Sequence, residues 1–455
     1  MAHNPQTNTF SRVADFTLTR AASDMPESAL EAAALMMLDT MGVLIASGPM
    51  QAGVIARDTA ALLYASTDPS YGARMLFDGR TVSMAGAAYA AATQTDNLDG
   101  HDGYNPTKGH IGVVVLPALA ALAEHCPNLT GPEALAAVVA GYEVAGRAGL
   151  SLHASVSDYH TSGAWNALGV VAMAARLRGL SADQMRQAMG IAEYHGPRSQ
   201  MMREIANPTM LHDGSGWGAM VGLSAAVLAE RGFTGAPAIT IEAEEVTPYW
   251  NDLGTFWQVE HQYVKPYPIC RWAHAAIDGV RAVMIAHDLT SAQIEALHIN
   301  SFHQAACLFA GLPETTSQAQ YSLPFAVAVQ AVYGRIGVEH ISGSGLSDPA
   351  VANLMSRITV AESEHHSVRF PEGRWADVTI RTTDGRVLKS GDIHARGGPE
   401  APMTRDDVIA KYTQFAAPVL GQDRADRIRQ VILGWPDKSA RYADLTPLIF
   451  DPPEP

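Results

Sequence analysis

With 455 residues, 47% of them apolar and only 17% charged, the chain exceeds the size at which one hydrophobic core suffices and carries material for a large interior. A formal net charge of −15 (31 basic against 46 acidic residues) excludes a binder of nucleic-acid backbones. It also requires that any anionic ligand be held by a local positive site.

Three cysteines, Cys126, Cys270 and Cys307, are widely spaced and odd in number. They suggest neither a disulfide framework nor a thiolate metal site and fit a reducing cytoplasm. The first residues, with Asn4, Gln6 and Asn8, lack the charged-then-apolar order of a signal peptide. No uncharged run reaches membrane-spanning length with enough large apolar residues, so the Ala-rich stretches read as buried helices of a soluble cytoplasmic protein.

Along the chain, Pro26 to Ser47 reads as a first helix. Leu30, Ala34, Met37 and Met41 share one face, and Pro26 suits the first turn. Asp39 within it reads as one polar residue of a buried helix. Asp78-Gly79 marks a bend or minor hairpin inside 74–84. Residues 84–92 and 113–123 are apolar helix-like runs, and between them lies the densest polar stretch of the chain, from Asp96 to His110. Three aspartates, two histidines, a lysine and three glycines from Asp96 to His110 predict an irregular loop held between rigid elements, where catalytic side chains are often carried.

Capping-box patterns follow at Thr130/Glu133, Ser181/Gln184, Thr290/Gln293 and Thr404/Asp407, each read as a helix start. The segments 132–150, 165–178, 182–194 and 217–231 are rich in small residues, which argues for a helix-on-helix core. Apart from that hairpin, no strand pattern occurs from residue 10 to about 260. After Gln262 the composition mixes. Partial alternation at 294–302 and a hairpin pattern at 375–380 and 386–388 around Asp384-Gly385 predict strands, with helices at 273–287 and 324–333. Helix character returns at 408–415 and 423–433, and the pattern leaves open which part this tail packs against.

Three histidines share one context. His110, His160 and His212 each stand just ahead of a predicted helix, whose free N–H groups and partial positive charge receive carboxylates well. Converging, the three termini would make a pocket for a polyanionic acid walled by imidazoles. Lys265, in Tyr263-Val264-Lys265-Pro266-Tyr267-Pro268-Ile269-Cys270-Arg271-Trp272-Ala273-His274, lies where the composition changes and can hold a carboxylate or an enolate-like charge. The glycines from Gly214 to Gly218 lack the strand and spacing of a dinucleotide loop, and neither a P-loop lysine pattern nor a His-Glu-x-x-His occurs. A metal held by His101, His110 and acids is not favoured, and His365-His366 reads as a solvated turn.

Taken together, these residues resemble the MmgE/PrpD family. The likeness rests on Leu38-Asp39-Thr40-Met41-Gly42, the Asp-rich loop closing on His110 ahead of Leu116-Pro117-Ala118, and Tyr159-His160. It continues through Asp213-Gly214-Ser215-Gly216-Trp217-Gly218-Ala219, Gly232-Phe233-Thr234-Gly235, Lys265 to His274, and Gln320-Tyr321-Ser322-Leu323-Pro324-Phe325. The family includes 2-methylcitrate dehydratase, cis-aconitate decarboxylase and iminodisuccinate epimerase. The resemblance implies a mainly α protein: a large all-helical domain from residues 1–262 with 400–455, and a smaller inserted α+β lid domain at 263–399. It implies a homodimer, no metal or organic cofactor, and a small carboxylate substrate bound between the domains; charge and composition add the expectation of no membrane or nucleic-acid partner.

By position it assigns catalysis to Asp96, His110, His160 and Lys265, with Asp99 and His274 beside them; with these two, His101, His212 and Arg271 are the residues expected to bind substrate. Where the decarboxylase carries lysine and tyrosine, this chain has Thr209 and Phe325, and where many relatives have a lysine before the Asp-Gly pair it has His212. These departures turn the expectation from cis-aconitate decarboxylation toward a hydro-lyase acting by α-proton abstraction on a hydroxylated di- or tricarboxylate. An epimerase or isomerase using the same carbanion is the alternative, and a non-catalytic metabolite-binding homologue the third reading.

Overall fold

Small residues set the spacing of the helices. In the computed structural model, which describes residues 6–454, the helix Gly131–Ser155 lies against Gly163–Arg178. A Cβ added at Gly169 would stand 2.5 Å from the carbonyl oxygen of Gly141, so the two backbones approach as closely as glycine allows. The same side-chain economy lets Met84–Asp96, Gly112–Ala123, Ala182–His195 and Ser215–Glu230 pack around them. The protein is mainly α, as expected.

The helices Glu27–Ser47 and Gly131–Ser155 are in fact long and apolar enough to cross a membrane. However, 83% and 94% of their most apolar windows are buried inside the fold, which is the environment of core helices. Pro26 is the N-cap residue of Glu27–Ser47 rather than part of its first turn. The Asp78-Gly79 bend does close a short antiparallel pair, Gly72–Arg74 with Thr81–Ser83.

The capping boxes at Ser181 and Thr404 are complete, the latter with Asp407 as its acid. At Thr130 only the forward bond forms, because Glu133 turns instead to Arg176 and the Ala22 amide. The box at Thr290 caps a three-residue 3-10 turn, Ser291–Gln293, that runs into a strand; the motif satisfies the turn's amides, and β-sheet pairing claims the residues beyond it.

That strand, Ile294–Ser301, is central to a sheet. It pairs antiparallel with Trp375–Thr382 and parallel with Ile358–Glu362, and Trp375–Thr382 carries Val387–Lys389 and Ile393–His394. His274–Ala286 and Leu323–Tyr333 pack beside it. Buried apolar residues form two clusters. One runs from Phe10 to Val264 and resumes from Val408 to Phe450. The other spans Tyr267 to Ala395, with Val43, Ala46, Leu98, Met201, Ile205 and Phe415 reaching into it. The returning helix Arg405–Leu420 packs on Glu27–Ser47, which answers what the sequence pattern left open.

His365-His366 is not a solvated turn. His366 is fully buried, its Nε2 2.9 Å from Asp377 Oδ2, and Arg369 Nη2 stands 2.6 Å from His366 Nδ1 and 2.9 Å from Asp392 Oδ2. The ring is buried because it ties a turn to the neighbouring strand. Although His365, His366 and Asp392 are close enough to share a cation, the guanidinium already occupies that place.

Candidate active site

The loop after Met84–Asp96 turns sharply at Asp99, whose φ of 52° places a non-glycine residue in the left-handed region. His212, at the other rim, has φ 46°. Both segments are thereby bent inward, and the carboxylates and imidazoles they carry are almost wholly buried.

The three helix N-termini do converge, but the protein's own aspartates occupy them. Ser215 N, at the start of Ser215–Glu230, donates to Asp96 Oδ2 at 3.1 Å. Ser162 N, capping Gly163–Arg178, donates to Asp213 Oδ1 at 3.1 Å, as does Ser162 Oγ at 3.0 Å. Gly112 N, opening Gly112–Ala123, donates to Asp102 Oδ2 at 3.3 Å. The expectation that these termini hold substrate carboxylates is corrected on physical grounds: a helix end binds the nearest buried anion, and here the chain supplies it.

His101 and His110 hang from one carbonyl. His110 Nδ1 lies 2.7 Å from Asp102 O and His101 Nδ1 3.3 Å from the same atom, with ring centroids 4.5 Å apart in an edge-to-face pair. A carbonyl only accepts, so Nδ1 of His110 carries the hydrogen and Nε2 keeps its lone pair. That Nε2 lies 3.4 Å from Asp213 Oδ2, and His101 Nε2 lies 3.4 Å from Asp96 Oδ1. Burial, reinforced by the neighbouring ring and Lys265, lowers His110 to about 4; burial and then Lys265 lower His101 to about 4. Both rings are neutral near pH 7.

The carboxyls go the other way. Burial, then the charge of Asp213, raises Asp96 to about 7, and burial, then Asp39, raises Asp102 to about 7. Asp99 is the exception. Burial pushes it up, but Lys265 and the surrounding imidazoles overcome that and hold it below the usual carboxylate range. Lys265 Nζ donates to Asp99 O at 2.9 Å and to its carboxylate, and is itself buried.

The cluster thus combines neutral imidazoles, carboxyls shifted in opposite directions and one ammonium. The MmgE/PrpD N-terminal domain profile matches residues 11–247 and the MmgE/PrpD C-terminal domain profile residues 267–437. The chain belongs to the MmgE/PrpD family. Similar proteins include the cis-aconitate decarboxylase of Aspergillus terreus, 23% identical over 489 residues that span 98% of this chain and 96% of that one. A cis-aconitate decarboxylase-like protein of Aspergillus oryzae is 23% identical over 498 residues, 98% of each. The cis-aconitate decarboxylase of Homo sapiens is 24% identical over 371 residues, 76% of this chain and 75% of its own.

Of the MmgE/PrpD site residues expected from sequence, Asp96, Asp99, His101, His110, His212 and Lys265 come together. His212 packs its ring 5.7 Å from that of Tyr321, and its buried Nε2 has no hydrogen-bond partner among the described residues. His160 has other partners. Its backbone bridges to Gln200 and its amide faces His153, and no hydrogen bond, ion pair or ring contact joins it to the cluster among the described residues.

Arg271 and His274 have structural partners. The guanidinium donates to Arg396 O at 2.6 Å and Ala395 O at 3.0 Å over the Tyr263 ring, and His274 Nε2 lies 2.9 Å from Ile269 O. Sequence reasoning gave no role of their own to Asp102, Asp213, Ser162 and Tyr321. Asp102 sits in the dense loop and Asp213 in the Asp-Gly-Ser-Gly motif, so both signals were present; Ser162 had only its place ahead of a helix.

Proposed function

We propose that this chain is a cofactor-independent hydro-lyase that takes the proton α to a carboxylate of a hydroxylated di- or tricarboxylate and expels the β-hydroxyl as water. The observation that carries the reading is the His110 Nδ1 contact with Asp102 O, which leaves Nε2 bare in the same buried cluster as Asp96, whose carboxyl burial and Asp213 raise to about 7. His110 Nε2 accepts the α-proton, and the electrons of the broken C–H bond become the new C=C. Asp96 gives its proton to the leaving oxygen, so water departs and Asp96 is left ionised. The Lys265 ammonium balances the enolate-like charge that builds on the substrate carboxylate. His101 fixes the face of His110 through their shared carbonyl, and Asp213 steadies the imidazolium once formed.

Family membership supports a lyase, and the apolar cluster of segment 263–399 supports reading it as a lid domain that carries Lys265 to the site. The homodimer belongs to the same proposal and is read by light scattering. An epimerase needs bases on opposite faces of its substrate, whereas His101 and His110 share one carbonyl and stand on one side; this favours elimination.

The test is a panel of hydroxylated di- and tricarboxylates in D₂O followed by NMR. Alkene formation with deuterium exchange at the α-carbon is expected; exchange with inversion and no alkene refutes elimination.

A further inference from the structure

A cavity of about 680 Å³ adjoins the buried cluster, walled on one side by residues near the Asp96 loop and on the other by the segments around 314–317 and 338–346. At their boundary Asn97 and Met210, on the cavity wall, lie one and two residues from Asp96 and His212 of the cluster. Asn97, next to Asp96, donates through Nδ2 to Met210 O at 3.0 Å, and Gln320 Nε2 donates to Asn97 O at 3.0 Å. Met210 lines the cavity while His212, two residues on, faces Tyr321 inside. Two buried atoms at this partition, Gln320 Oε1 and His212 Nε2, have no hydrogen-bond partner among the described residues.

The lining is unlike the cluster it adjoins. Met50, Met210 and Leu346 supply apolar surface, and Thr209, Thr316 and Ser317 supply hydroxyls. Glu314 is the one ionisable side chain on the wall, and no lysine, arginine or histidine lines it. Behind Thr209 lies a second acid: Glu204, buried, accepts from Thr209 N at 2.8 Å and from Thr209 Oγ1 at 3.2 Å. A carboxylate placed here would meet two acids and no cation, and a desolvated, unpaired charge is strongly disfavoured. A short neutral chain would be welcome, and the volume is within the range of small-molecule pockets.

We propose that this cavity is the subsite for a distal arm of the substrate, and that the arm is uncharged: an alkyl or hydroxyalkyl chain extending from the carboxylated head that the inner cluster holds. The assignment rests on the lyase reading for which end of the substrate lies inside.

The experiment is isothermal titration calorimetry of the full chain with three probes sharing one hydroxydicarboxylate head. Malate has no arm, 3-propylmalate a neutral three-carbon arm, and homoisocitrate an arm of the same length ending in a carboxylate. On the wild type, 3-propylmalate binds about ten-fold or more tighter than either other probe. Leu346→Trp fills the cavity and removes that advantage while leaving malate unchanged, and Thr316→Lys brings homoisocitrate above 3-propylmalate.

Homoisocitrate binding the wild type as well as 3-propylmalate, no binding of any probe at millimolar concentration, or indifference of 3-propylmalate to Leu346→Trp overturns the assignment. Deuterium exchange on the same samples tests the lyase reading separately. Arm preference without exchange removes the chemistry and keeps the subsite, while exchange without arm preference removes the subsite and keeps the chemistry.

Discussion

The most exacting test of how the site is held does not need the substrate. Lys411, on the returning helix, donates to Asp39 Oδ1 at 2.6 Å and to Gly100 O at 2.6 Å, so one ammonium ties the first long helix and the catalytic loop to the C-terminal tail. The two side chains are 5% and 0% exposed, and the carboxylate's second oxygen, Asp39 Oδ2, has no hydrogen-bond partner among the described residues. Lys411→Met keeps the apolar stem and removes the charge, leaving a buried carboxylate uncompensated at a cost of about 3–5 kcal/mol.

Asp39 already lies above the usual carboxylate range, because burial outweighs the attraction of Lys411; without the lysine it rises further. A carboxyl raised in the folded state binds its proton more tightly folded than unfolded. Stability therefore falls as pH climbs from about 4 through the folded value, and the variant's deficit is smaller at pH 5 than at pH 8. Urea unfolding followed by circular dichroism at the two pH values measures this. In Asp39→Asn/Lys411→Met most of the loss returns, a coupling of about 2 kcal/mol or more. A deficit under about 1 kcal/mol, or one independent of pH, or strict additivity of the two substitutions, refutes the assignment of a buried, loop-anchoring pair.

Three further predictions concern the site itself. His110→Asn lowers α-proton exchange by about 10²–10⁴-fold with little change in urea midpoint, and retained exchange removes His110 as the base. The pH dependence of kcat/KM rises through about 4, as His110 loses its proton, and falls through about 7, as Asp96 loses the proton it must donate; Asp96→Asn lowers the rate and erases the alkaline limb. Gly112→Ala places a Cβ 2.1 Å from Asp102 Oδ1, so it costs about 1–3 kcal/mol by thermal unfolding, and a silent substitution contradicts the close seating of that carboxyl on the helix start.

Local pattern carried most of the helical framework. Gly131–Ser155, Gly163–Arg178, Ala182–His195 and Ser215–Glu230 each match a small-residue run, and the density of acids and histidines marked the loop from Asp96 to His110. The strand Ile358–Glu362 escaped because it is an edge strand without a clean buried-exposed alternation. What local pattern cannot encode is which partners meet. Lys411 reaches Gly100 across 311 residues, and Ser215 reaches Asp96 across 119. Three histidines ahead of helices promised three termini free for substrate; only the tertiary packing reveals that Asp96, Asp102 and Asp213 had taken those amides.

That occupation sets an electrostatic problem whose solution is the chemistry. Asp96, Asp99, Asp102 and Asp213 crowd a region whose buried ammoniums are Lys265 and Lys411, and the latter is already matched by Asp39. Fully ionised, the cluster would repel the carboxylates it is proposed to bind. Helix amides alone would favour ionisation, yet burial outweighs them and lifts Asp96 and Asp102 to about 7, so near neutral pH they spend much of their time as neutral donors. The burial that excludes water thus makes an acid of Asp96 and keeps His110 a base, and it relieves the anionic excess in the same stroke. It follows that affinity for a polycarboxylate weakens as pH rises past about 7, in step with the falling limb of the rate. A single set of protons governs both.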